Sequence, residues 1–158
     1  MPYIENYNTE MAVGYAGMVA DTEPAVIVSR TIQTATGVGF GKIVAQGEGD
    51  HDIIADLKGG KVFGITVRSQ TQEANNVDIY PVKADVTVMR KGVIWAIAKG
   101  NVKAGDPVFY NPADGALSNA TGTQLAGCRW ETTANDGNLA RLRVNFDVPA
   151  PAASGGGA

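Results

Sequence analysis

Three features of this sequence predict an all-β fold, either a small antiparallel β-barrel or a jelly-roll-like sandwich. The first is period-two alternation of apolar and polar residues in short runs, each closed by Gly, Asn or Asp. The second is glycine, 20 of 158 residues with no collagen-like period, which places glycines at turns and bulges. The third is the lack of room for helices in the middle of the chain. Its longest stretch free of Gly and Pro, Ile65 to Tyr80, is interrupted by a polar TQEANN run.

The candidate strands follow in order. Ala25–Ile32 is rich in β-branched residues, and Val38–Val44 is laced with glycine around Phe40 and Ile43. Val62–Val67 follows a Gly-Gly turn. Asp85–Met89 alternates Val86 and Val88 against Thr87, and Val93–Ala98 sets Val93, Trp95 and Ile97 on one side. Val108–Asn111 runs into the turn Pro112-Ala113-Asp114-Gly115. Gln124–Glu131 carries Cys128 and Trp130. Leu139–Phe146 alternates most cleanly, with Leu142, Val144 and Phe146 facing one way and Arg141, Arg143 and Asn145 the other. Such short strands over about 120 residues suit a barrel or sandwich.

Two flanking zones differ from this body, residues 25–147. Residues 1–24 hold Glu5, Glu10, Asp21 and Glu23 with no Lys or Arg, and three of the five tyrosines fall within the first 15 positions. Tyr3, Tyr7, Met11 and Tyr15 recur every four residues, so a helical turn would align them, although Gly14 and Gly17 oppose one. Tyrosine and methionine concentrate in interface cores. The segment therefore reads as an extended arm that becomes ordered on a neighbouring subunit, with covering of its own barrel end as the alternative. Residues 148–158, VPAPAASGGGA, are too poor in side chains to pack and are expected to be a flexible tail.

Composition narrows the function. A net charge of −3, with all 13 basic residues between Arg30 and Arg143, argues against direct nucleic-acid binding. Charged residues are only 18% of the chain, which suits a protein that hides surface against partners. The single cysteine, Cys128, excludes an internal disulfide and any multi-cysteine metal cage. No run nears the ~18 apolar residues of a membrane span, and the start of the chain has no signal-peptide pattern. A soluble protein made in a cytoplasm is expected.

No catalytic set converges. His51, the only histidine, sits in the polar Gly47-Glu48-Gly49-Asp50-His51-Asp52 and reads as a solvated turn. Glu48, Asp50 and Asp52 lack the spacing of a calcium loop, and no second histidine or cysteine cluster completes a metal site. Gly37-Val38-Gly39-Phe40-Gly41 is followed by strand-like residues, where a phosphate loop would open a helix. Close backbone approach explains these glycines better. Ser29 has no nucleophile-elbow pattern. Asn119-Ala120-Thr121 is a glycosylation sequon in spelling only. Cys128 reads as a buried small residue, and Trp95 and Trp130 as core. Neither a catalytic residue nor a cofactor is expected.

Two passages carry a family likeness. Val86-Thr87-Val88-Met89-Arg90-Lys91-Gly92-Val93-Ile94-Trp95-Ala96 leads into Gly100-Asn101-Val102-Lys103-Ala104-Gly105-Asp106-Pro107-Val108-Phe109-Tyr110. Gly115-Ala116-Leu117-Ser118 and Ala126-Gly127-Cys128 follow. This order, from Val82 to Phe146, resembles the head cement or decoration proteins of tailed bacteriophages. A weaker likeness begins around Gly14, and the stretch from Ala12 to Ala20 is also similar. The resemblance implies a compact barrel or β-tulip-like (β-clip-like) body on the outside of a mature virion capsid. It implies homotrimers, or homodimers in related groups, bridging major capsid proteins and stabilising the expanded shell. On that reading Tyr3, Ile4, Tyr7, Met11, Tyr15 and Met18 form the contact face of the arm. Glu5, Glu10, Asp21 and Glu23 then meet basic shell residues. The rival readings are a carbohydrate-recognising or tail-associated β binding module and, more remotely, a small enzyme using His51.

Overall fold

A computed structural model of the chain describes residues 14–59, 61–70 and 79–148. Among these residues there is no helix; the body is entirely strands and turns. The first six strands are β1 (Val26–Ile32), β2 (Val38–Gly39), β3 (Ile43–Gln46), β4 (Asp52–Ile54), β5 (Val62–Thr66) and β6 (Ile79–Tyr80). Then come β7 (Asp85–Ile97), β8 (Pro107–Tyr110), β9 (Leu117–Ser118), β10 (Thr123–Trp130) and β11 (Leu139–Asn145).

Two rings share β7. In the first, β1, β4, β3, β5 and β7 pair in that order and β7 pairs back onto β1, closing a five-stranded barrel. Four of its five pairings are antiparallel; β1 and β4 run parallel through Thr31 and Ile32. The second sheet continues from β7 through β11, β10, β8 and β9. A bridge between Ala98 and Leu117 brings β9 back to the end of β7. Closure on both sides leaves few open strand edges, which is how barrels avoid edge-to-edge association.

Alternation decides which residue faces which core. Val44, Ile53, Val86 and Val88 point into the first barrel, with Ile32, Phe40 and Tyr80. Phe40 and Tyr80 meet edge to face, with ring centroids 5.1 Å apart. The opposite faces of β3, β5 and β7, carrying Ile43, Ala45, Ile65 and Met89, pack against Ile94, Val108, Trp130, Leu142 and Val144 of the second sheet. Trp130 is fully buried and its indole N–H donates to the Ser118 carbonyl. Trp95 differs from expectation. Ile94 and Ala96 take the core side, so Trp95 lies half-buried on the outer face.

Three other expectations need adjusting. Val38–Val44 is two strands, because Gly41 adopts φ +66° between them. Asp85–Met89 and Val93–Ala98 are one strand, since Gly92 at φ +143° bends the chain while its register with Val144 is kept. Finally, β4, β6 and β9 lie where the sequence shows only polar turn and short apolar residues. The turn before β8 is as expected: Gly105 takes φ +92° and its N–H donates to the Trp130 carbonyl. The Asp106 carboxylate there accepts from the Asn119 amide and the Lys103 N–H, and these bonds hold its pKa below the usual carboxylate value.

Candidate interaction surface

Residues 14–23 run as a strap along the second half of β7, on the edge that β11 leaves open. Val19 pairs antiparallel with Ile94. The Gly17 N–H donates to the Trp95 carbonyl, Trp95 N–H to the Met18 carbonyl, and Ala20 N–H to the Val93 carbonyl, all at 2.8–2.9 Å. The Gly17 carbonyl also accepts from Arg68 N–H at 2.6 Å. A side chain at Gly17 would meet the backbone of Gly41 at 2.7 Å, so two glycines let the strap cross the barrel. Gly14 fits as closely, since a Cβ there would meet the Trp95 indole at 2.9 Å.

Ion pairs latch the strap to the arginine face of β11. Arg141 donates to Asp21 at 2.6 Å and Arg143 to Glu23 at 2.6 Å. Arg143 also donates to Glu131 at 2.7 Å, and Arg129 donates to Glu131 at 2.8 Å. Hydrogen bonds from Arg129 and Arg143 lower the pKa of Glu131, and the same Glu131 and Glu23 contacts raise that of Arg143.

The first half of this strap turns apolar side chains outward. Tyr15 is 59% exposed and Met18 45%, and Ile97 of β7 joins them at 48%. The Tyr15 ring lies 5.0 Å from the Arg68 guanidinium, which also sits 5.1 Å from Phe40. A shallow concavity of about 240 Å³ beside the strap is walled by Ala16, Phe40, Ile97, Ala98 and Leu117, with Lys99 and Asp136 at its margin. Exposed tyrosine and methionine on a backbone-bonded strap, with Ile97 of β7 beside them, suit adhesion to another surface.

The expected contact residues divide three ways. Tyr15 and Met18 are presented to solvent. Asp21 and Glu23 are engaged within the chain by Arg141 and Arg143. Tyr3, Ile4, Tyr7, Met11, Glu5 and Glu10 lie outside the described residues. Ile97 was missed, because its period-two partners Val93 and Trp95 made that side of β7 look like core. His51 is exposed, its carbonyl accepting from Thr31 N–H, and the Asp52 carboxylate accepts from the Gln33 amide at 2.8 Å. Cys128 is buried, which pushes its thiol up to about 11. Among the described residues, no group of three or more His, Cys, Asp or Glu side chains is placed to hold a metal ion.

With this geometry in place, the likeness to known proteins is informative. No curated protein sequence matches the chain. Among solved structures, a chain from the capsid of Myoviridae phage XM1 superposes with a TM-score of 0.72 at 19% identity, covering 94% of this chain and 100% of that one. That likeness shows a shared fold. The N base of the head fibre gp8.5 of bacteriophage phi29 is 18% identical over 77% of this chain and 96% of that chain, with a TM-score of 0.45. The model of the structural cement protein family, typified by E217 gp24 and Pam3 gp6, matches residues 3–145. That match takes in part of the leading segment, the strap and every strand through β11, and the chain belongs to the phage structural cement protein family.

Proposed function

We propose that the protein binds the outer surface of an expanded phage capsid and stabilises it by bridging neighbouring major capsid proteins. The observation that carries this reading is the strap. It is fixed to the body by backbone hydrogen bonds and ion pairs, yet turns Tyr15 and Met18 to solvent. A rigid apolar presentation loses little conformational freedom on docking. Each contact is weak alone. Copies that touch more than one shell subunit multiply their hold through effective concentration. Binding the expanded lattice in preference to the compact one stabilises the expanded state by mass action. The protein works as a homo-oligomer, a trimer or a dimer, on the exterior of the virion, without touching nucleic acid or membrane. Membership of a structural family supports adhesion over catalysis. The rival carbohydrate reading needs an open aromatic platform, whereas Trp130 is fully buried and Gly14 lies against the Trp95 indole.

The test is the double variant Tyr15→Ser, Met18→Ser, added to expanded heads lacking the protein. Loss of two buried apolar contacts is expected to weaken occupancy tenfold or more, at about 1.4 kcal/mol per decade. Occupancy equal to wild type would move the contact surface off the strap.

A further inference from the structure

Among the described residues, one stretch of strand has a neighbour on one side only. β1 pairs with β7 from Val26 to Thr31, but with β4 only at Thr31 and Ile32. Thr31 N–H donates to the His51 carbonyl on the β4 side. The peptide groups of Ser29 and Ile27, two and four residues earlier, therefore aim at the same edge. No strand lies there among the described residues. Val26 and Ile27 are 45% and 42% exposed beside it.

The edge also carries unmatched positive charge. The Arg30 guanidinium lies 4.8 Å from the Phe63 ring and donates only to the neighbouring Ser29 carbonyl, at 2.8 Å. Its Nε is buried without a partner, and among the described residues no carboxylate pairs with it. Arg90 sits 4.4 Å from the same ring and is held by Asp147. Lys91, exposed, is the register partner of Val26. The acids nearby are already occupied, Asp147 by Arg90 and Asp85 by the Thr31 hydroxyl at 3.5 Å. An edge unpaired among the described residues, with exposed aliphatic residues and a guanidinium that no carboxylate there neutralises, is a receiving site for an extended acidic, apolar segment.

From these observations we infer that the edge Val26–Arg30 receives residues 1–13 of a second copy of this chain. This rests on reading the leading segment as an adhesive arm. The segment carries Glu5 and Glu10, no Lys or Arg, and Ile4, Tyr3, Tyr7 and Met11 to cover Val26 and Ile27. Its length suffices, since 13 residues span up to about 45 Å when extended. It also departs from a different region of its own body. The described chain begins at Gly14 against Trp95, in the second half of β7, whereas β1 pairs with the first half. On this assignment Glu5 and Glu10 work between copies, leaving Tyr15 and Met18 for the shell.

Charge exchange tests it. Arg30→Glu places like charges together in a pure pool, as does the double variant Glu5→Arg, Glu10→Arg. Sedimentation of either pool alone is expected to show association weakened tenfold or more, and mixing the two pools to restore it, because each arm then meets an opposite charge. Ile27→Ser, which leaves the buried side of β1 untouched, is expected to weaken association several-fold and guards against a folding defect in Arg30→Glu. A monomeric wild-type chain, unchanged association in either charge variant, or a mixture that fails to recover would each overturn the inference. Binding of wild type to expanded heads is read separately. Bare heads would count against the shell reading and leave the contact between copies standing.

Discussion

Gly17 and Gly41 meet backbone to backbone where the strap crosses the barrel, and each sits at positive φ. Gly41→Ala forces a Cβ to within 2.7 Å of the Gly17 nitrogen in a conformation that disfavours any side chain. A loss of about 1–3 kcal/mol in denaturant unfolding is expected. Cys128 makes the opposite case, a residue whose role is passive. With its thiol pushed up to about 11, the thiolate at pH 8 is roughly a thousandth of the population. Native protein is therefore expected to resist thiol-alkylating reagents at that pH and to react once unfolded. Rapid alkylation of folded protein would contradict that burial. Local alternation made Cys128 and Trp130 legible from sequence. It could not do the same for Gly41, whose need for glycine is set by a chain crossing from 24 residues away in sequence.

At the scale of elements, Glu131, which lies outside the strap but positions Arg143 for Glu23, carries the pH dependence resolved at this latch. The pKa of Glu131 is lowered in the folded protein, first by the bond from Arg129 and then by that from Arg143. Its contribution is therefore complete above the unfolded value of 4.5 and is lost as pH falls through the lower folded value. These groups are partly exposed, so each pair is worth only about 0.2–1 kcal/mol. Amide-exchange protection at Gly17, Ala20 and Trp95 is expected to hold at neutral pH and to fall only below about 4.5. Glu131→Gln should show the reduced protection at pH 7. Protection unchanged by both treatments would mean that the backbone bonds alone hold the strap. The arginines of this latch were visible as one face of β11, whereas their carboxylate partners were not, because strap and strand are 120 residues apart. Sequence patterning also found most strands and missed β4, β6 and β9. Short elements of two or three residues carry no period, and tertiary pairing alone makes them strands.

For the whole molecule, the all-β class was readable from alternation and glycine punctuation, which left barrel and sandwich as alternatives, and the order of motifs pointed to the cement family. Ring closure was not readable. It depends on β7 returning to β1 and on Ala98 reaching Leu117, contacts that local patterns do not encode. The central claim is that this closed scaffold adheres to the outside of an expanded shell. Its most direct measurement is cryo-electron microscopy of expanded and of compact heads, both free of the protein, after titration with purified wild type. Ordered, saturable density is expected on the outer surface of expanded heads, with the strap face toward the shell, and far weaker occupancy on compact heads. Bare expanded heads at saturating protein, or density confined to the interior, would contradict it.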